Sequence, residues 1–426
     1  MISNNIPQGY KDSPLGVIPQ EWEVKRLGEV CDIKGGFAFD SKSFLQSGNY
    51  QIVKMSNLYN GHLDLSRSFS FINSIPSSAL DSELNNGDIL ITLTGTVGKK
   101  DYGYTYLITN EKNLLLNQRV AKLIPHSILP QFLYPTLKTS RFLTPFFYSS
   151  RGGTGNQTNV STKDILDINI LFPPLPEQQR IAEVLGTWDV AIEKQGALVD
   201  KLTERKRALM QQLLTAKKRL PNFSEPWETV RLGEIGSTYN GLTGKTKEDF
   251  DCGNANFIPY VNIFNNSKID VYELGKVKIG NEKQNKVLFG DILFTVSSET
   301  PNEVGMSSVL LEDVENLYLN SFCFGYRLND YSVLLPEFAA YYLRSTTFRK
   351  NIALLAQGST RFNLSKSEVL NIKLNVPNIP EQTAIAQILT TADREIEGAK
   401  AKLESLHSQK RGLMQQLLSG KKRIKI

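Results

Sequence analysis

Among the short patterns that could hold a cofactor or build a nucleophile, GLTGKT (241–246) comes nearest to a phosphate loop. A GxxxxGK[ST] loop needs glycine where Tyr239 stands, so the segment reads as an ordinary loop. FPPLP (172–176) has the PxxP spacing of polyproline ligands. Its twin NVPNIP (375–380) also stands just before a helical pattern, and both read as rigid connectors. The same FPP lacks the Asp or Asn that opens the [DN]PP[FYW] tetrad of adenine methyltransferases. No G-x-G cofactor loop follows a strand pattern. His62, His126 and His407 stand apart from any Ser, Cys or carboxylate in a catalytic order. Cys31, Cys252 and Cys323 form no CxxC pair, which argues against a disulfide framework or zinc site and suits a reducing cytoplasm. The expectation is a chain that catalyses nothing alone and binds no metal or cofactor itself.

Residues suited to nucleic acid are better represented. Glycine- and threonine-rich loops with nearby cations occur as TLTGTVGKK (92–100) and SRGGTGNQTN (150–159). Their counterparts in the second half are TVSSETPNE (295–303) and AQGSTRFN (356–363). Small residues let backbone amides approach phosphate, and Arg, Lys, Asn and Gln match base edges in the major groove. The candidate DNA contacts in the first half are Lys54, Asn57, Thr94, Thr96, Lys99, Lys100, Arg151, Gln157 and Asn159. Those in the second half are Lys245, Asn262, Ser297, Thr300, Arg361 and Asn363. The balance of 49 Lys+Arg against 43 Asp+Glu leaves +6, a modest excess that favours a polyanionic partner without establishing one.

The elements that would position these loops occur twice. PQEWEVKRLGEV (19–30) returns as SEPWETVRLGEI (224–235), setting Trp22 against Trp227. GDIL (87–90) returns at 290–293, NVSTKDIL (159–166) as NLSKSEVL (363–370), and PEQQRIAEVL (176–185) as PEQTAIAQIL (380–389). LMQQLL followed by KKR spans 209–219 and again 413–423. Matched blocks in one order at a near-constant offset of 203 to 205 residues define a tandem duplication. Each copy opens with a mixed α+β segment, 1–175 (core about 19–172) and 221–379 (core about 223–376). Ile89–Leu93 and Ile292–Val296 read as strands, and Tyr102, Tyr104 and Tyr106 alternate as if on one strand face.

Each copy ends in a helical region, 176–220 and 380–426. Heptad steps place Ile181, Leu185, Trp188, Ile192, Val199, Leu202, Leu209 and Leu213 on one seam, with Gln195 and Lys206 as its polar members. The second seam holds Ile385, Leu389, Ala392, Ile396, Ala399, Leu403, Leu406, Leu413 and Leu417, with Lys410 polar. A helix of about 40 residues, roughly 60 Å long, cannot bury such a stripe on a small domain of its own. Pseudo-two-fold symmetry between two copies predicts an intramolecular antiparallel coiled coil separating the mixed domains. A parallel pairing between chains fits the same pattern. No run approaches the roughly 18 apolar residues of a membrane span, and the N-terminus shows no apolar signal core. A soluble cytoplasmic protein is expected.

The order WExxxLGE, GGFAF or YNGLTGKTKEDF, GDIL, a glycine loop, PEQxxIAxxL and a long helix ending LMQQLL–KKR resembles the specificity subunits of type I restriction–modification systems. The resemblance covers essentially the whole chain, in both halves. It implies two target-recognition domains, each reading one half of a bipartite site in double-stranded DNA. It also implies helical regions that act as spacer and as docking surface for modification subunits, two of them expected. Those partners would carry S-adenosylmethionine-dependent adenine methylation, and motor-nuclease subunits would bring ATP, Mg and cleavage. Between equivalent blocks the halves diverge: ITLTGTVGKKDYGYTYLI (91–108) has little in common with FTVSSETPNEVGMSSVLL (294–311), which drift after duplication would produce and which the resemblance favours reading as selection for two different half-sites. Two other classes compete. One is a coiled-coil adaptor with terminal peptide-binding domains, which would lack salt-dependent DNA affinity. The other is a methyltransferase–nuclease fusion, opposed by the missing tetrad and cofactor loop.

Overall fold

Ile89–Thr92 and Ile292–Thr295, the apolar runs at the two GDIL motifs, are buried at every position and form inner strands of two equivalent sheets. In the computed structural model, residues 6–59, 61–152 and 155–424 are described. The chain divides into two units, 1–195 with 402–426, and 196–401.

In the first unit a four-stranded antiparallel sheet runs in the order Thr105–Leu107, Ile89–Thr92, Val120–Pro125, Cys31–Gly35. A smaller sheet sets Leu114–Leu116 parallel to Tyr50–Val53, with Phe71–Ile72 on the other side. Asn169–Phe172 pairs with Glu23–Arg26, so the end of the mixed segment returns to its start. Three short helices complete it: α1 (Pro130–Thr136), α2 (Ser140–Tyr148) and α3 (Thr162–Leu166). The core gathers Trp22, Leu27, Ile89, Ile91, Phe132, Phe142 and Phe146, all buried.

The second unit repeats this plan. Its four-stranded sheet runs Gly236–Asn240, Cys323–Leu328, Ile292–Thr295, Ser307–Val309. Glu228–Arg231 pairs with Lys373–Val376. The segment from Phe250 to Ile258 runs parallel to Leu317–Leu319.

The long helices are α4 (Leu175–Leu213) and, after the five short helices of the second copy, α10 (Ile379–Leu417), 39 residues each. Those five are α5 (Leu232–Ile235), α6 (Tyr260–Asn265), α7 (Pro336–Tyr342), α8 (Thr346–Leu354) and α9 (Lys366–Asn371). Pro176 and Pro380 sit in the first turn, where a missing N–H removes no helical bond. Within each unit, part of α4 lies antiparallel to part of α10. In the first, Asp189 meets Lys410 while Glu177, earlier in α4, meets Arg423. In the second, Lys206 meets Asp393 while Arg219, past the end of α4, meets Glu381.

Every heptad position from Ile181 to Leu213 and from Ile385 to Leu417 is buried or half-buried. The polar positions have partners of their own. Lys206 and Lys410, equivalent by the repeat, each reach a carboxylate on the opposite helix. The tyrosine alternation is a correction: only Tyr106 of the three lies in a strand, Thr105–Leu107. Gly103, at φ +73°, turns the chain just before it. No helix among the described residues is long and apolar enough to cross a membrane.

Candidate nucleic-acid interface

The glycine loops, far apart in sequence, meet. In the first unit Thr94–Thr96 pairs with Gln157–Asn159, which pairs in turn with Arg151–Gly152. Register sets Thr94 opposite Asn159, Thr96 opposite Gln157, and Arg151 opposite Asn159 from the other side. The Thr94 hydroxyl donates to Asn159 Oδ1 at 2.5 Å. Lys99 and Lys100 follow in the exposed turn, and Lys100 Nζ lies 5.5 Å from the Phe147 ring. Arg151 is 80% exposed and approaches Asp164 at 3.4 Å, an ion pair worth little at the surface. Residues 153 and 154 of this loop lie outside the described residues.

The second unit builds the same junction from different residues. Ser297 pairs with Asn363 and Ser298 with Phe362, and Arg361 is exposed beside them. A cleft of about 380 Å³ opens here, lined by Tyr260, Phe264, Phe322, Glu299, Glu303 and Arg361 among others. The Tyr260 hydroxyl donates to Ser297 O at 2.7 Å, and the Thr300 hydroxyl to Glu303 at 2.8 Å. The carboxylates and aromatics of this cleft are not among the residues expected from sequence. Divergence between the halves at 294–303 is the one sequence signal pointing to them.

Other residues expected at the interface fall elsewhere, and several need correction. Asn57 and Asn262 are buried, and each side chain binds backbone carbonyls of a loop: Asp64 and Arg67 for Asn57, Asp270 and Glu273 for Asn262. They hold the frame and present nothing to a ligand. Thr94 is also buried, its hydroxyl already committed to Asn159. Lys245 donates to Lys278 O at 2.6 Å and pairs with Glu282, which accounts for the cation of the GLTGKT segment. Lys54 donates to Ser70 Oγ at 2.6 Å and lies over Phe44.

The blocks shared by both halves turn out to converge. In the first unit the indole N–H of Trp22 donates to Glu177 at 2.8 Å, and Arg423 grips both oxygens of that carboxylate at 2.7 and 2.9 Å. In the second, Trp227 and Arg219 do the same to Glu381. WE, PEQ and KKR are therefore one clamp, tying the start of a mixed domain to both long helices. The neighbouring glutamines complete it. Gln178 accepts from Leu129 N at 3.0 Å, and Gln382 from Leu335 N at 2.9 Å, at the starts of α1 and α7. The GDIL aspartates pair inward, Asp88 with Lys122 at 3.3 Å and Asp291 with Arg327 at 2.6 Å.

Of the cysteines, Cys252 is exposed and Cys31 and Cys323 are buried. Burial pushes the Cys31 and Cys323 thiols up to about 12, which leaves them protonated and unreactive. Among the described residues no group of three or more His, Cys, Asp or Glu is placed to hold a metal. The first small sheet offers a polar, hydroxyl- and amide-rich surface rimmed by Lys99, Lys100 and Arg151, whereas the second offers serines beside a cleft of aromatics, carboxylates and Arg361.

Two units on one plan, with a shared clamp and unlike loop surfaces, define a duplicated two-domain recognition protein. The family described as "Type I restriction modification DNA specificity domain" matches the chain twice, over 19–201 and 224–407, and the chain belongs to it. It is 24% identical to the putative type I restriction enzyme MjaX specificity subunit of Methanocaldococcus jannaschii, over 98% of this chain and 97% of that one. It is 25% identical to the MjaVIII specificity subunit of the same organism, over 96% and 94%. Among solved structures, the S subunit of a type I restriction–modification system from M. genitalium superposes with a TM-score of 0.55 at 17% identity, covering 98% of this chain and 97% of that one.

Proposed function

We propose that this chain is the DNA-reading subunit of a type I restriction–modification complex and catalyses nothing by itself. Each mixed domain reads one half of a bipartite site. The paired helices set the spacer and dock two modification subunits, which hold S-adenosylmethionine, while motor-nuclease subunits join through the complex with ATP and Mg. The observation that carries the reading is the contrast within each unit: the clamp is shared residue for residue, whereas the small sheet built from the two glycine loops differs between copies. A scaffold that keeps its frame and varies one surface is what two half-sites on one protein require.

Phosphate contacts give the first test. The logarithm of the affinity for a duplex carrying the site should fall linearly with log salt, since each neutralised phosphate releases a counterion. Purified chain should transfer no methyl group until the cognate modification subunit is added. Salt-independent binding, or methyl transfer by the chain alone, would contradict the reading.

A further inference from the structure

In the first unit a cavity of about 390 Å³ opens where the start of α2 faces the C-terminal end of α10. Four cations line it, Lys138, Arg141, Arg411 and Lys421, together with apolar surface from Phe142 and Met414, and no carboxylate does. Arg141 Nη1 is buried and has no hydrogen-bond partner. Among the described residues neither Arg141 nor Lys421 forms an ion pair, and Arg411 reaches Glu404 only at 3.4 Å, with both side chains largely exposed. Burial lowers Arg141, and it pushes Lys138 down to about 8, helped by Lys410 and opposed by Asp189. Cations gathered around a void without a counter-charge disfavour one another, and an anion in the void removes that penalty. The first turn of α2 has no side-chain cap, so its partial positive charge points the same way.

The repeat supplies an internal comparison. α1 begins at Pro130 and α7 at Pro336, which puts Arg344 in the place of Lys138 and Thr347 in the place of Arg141. Arg344 is engaged through Nε and Nη2, donating to the carbonyls of Ser307, Ile263 and Asn266 at 2.5 to 2.6 Å. The helix cations recur as Arg207 and Lys217, but the two domain-side cations of the first copy are absorbed or replaced. The arrangement is particular to the first unit and is no by-product of the shared frame.

We infer that this cavity binds a phosphate group, held by Arg141, Arg411 and Lys421 between α2 and the end of α10. A guanidinium fork with a neighbouring ammonium matches the oxygens and charge of a phosphate. The site stands apart from the small loop sheet and does not depend on how the half-sites are read. The phosphate can come from a small molecule or from the DNA backbone.

Calorimetric titration of the full chain with inorganic phosphate and with AMP separates these sources, alongside duplex binding across a salt series. One small phosphate per chain is expected, weakened at least tenfold by Arg141→Ala, weakened less by Arg141→Lys, and unchanged by Arg207→Ala. Melting curves of each variant check that it folds. If neither small phosphate binds but Arg141→Ala lowers the salt slope of DNA binding by about one, the DNA backbone is the source. Absence of small-phosphate binding, with the same salt slope in wild type and in Arg141→Ala/Lys421→Ala, overturns the inference. Failure of the wild-type chain to bind DNA while it binds phosphate would instead overturn the reader function and leave this site standing.

Discussion

Glu177 and Glu381 each accept an indole N–H and a bidentate arginine while being almost wholly withdrawn from water. A buried carboxylate held this way is destabilised sharply when its partner is removed, by about 3–5 kcal/mol. Arg423→Ala or Arg219→Ala should therefore lower the melting temperature by several degrees, whereas Glu177→Gln keeps the acceptor for Trp22 and should lower it less. Differential scanning calorimetry measures both, and equal small shifts would demote the clamp to a surface ion pair. The loop cations predict the opposite pattern. Replacing Lys99, Lys100, Arg151 or Arg361 by Ala should leave folding within about 0.5 kcal/mol and lower the salt slope of DNA binding by roughly one for each phosphate left without its cation. Unchanged slopes for all four would move the DNA surface elsewhere. Matching between the two copies is a faithful guide to the frame, Asn57 and Asn262 included, and it argues against reading those two as base contacts. Residues that match between copies of a duplicated reader are those both copies need for folding, and side chains that choose different bases cannot match.

At the level of elements, the long helices are legible because a seven-residue period persists from Ile181 to Leu213 and from Ile385 to Leu417. Even the polar breaks at Lys206 and Lys410 carry information, since each marks a pairing with the facing helix. The small sheets are not legible. Strands of two or three residues such as Arg151–Gly152 and Ser297–Ser298 have no period to detect, and their pairing is decided by long-range register. Only the recurrence of loops rich in Gly, Ser and Thr at matching places hints at them. If the helices set the spacer, four residues inserted near Glu204 lengthen α4 by about 6 Å, and the stutter locally unwinds the seam. A spacer about one base pair longer, with both half-site sequences kept, is expected when the methylated motif of the variant is mapped. An unchanged spacer would mean that the helices are not the ruler.

For the whole molecule, the claim is that two domains on one frame read two unlike half-sites independently. The family and the two-copy plan are both visible in the order of short motifs, although no single motif would identify them. The base preferences are not, because they rest on side-chain placement within loops whose sequences the two halves do not share. The most direct test maps N6-methyladenine across the genome of a strain expressing this chain with its modification subunit. It then repeats the map after residues 19–172 are exchanged for the equivalent domain of a relative. One bipartite motif is expected for the native chain and, after the exchange, a motif with one half replaced and the other half intact. A continuous motif, or one altered in both halves by the exchange, would contradict that claim.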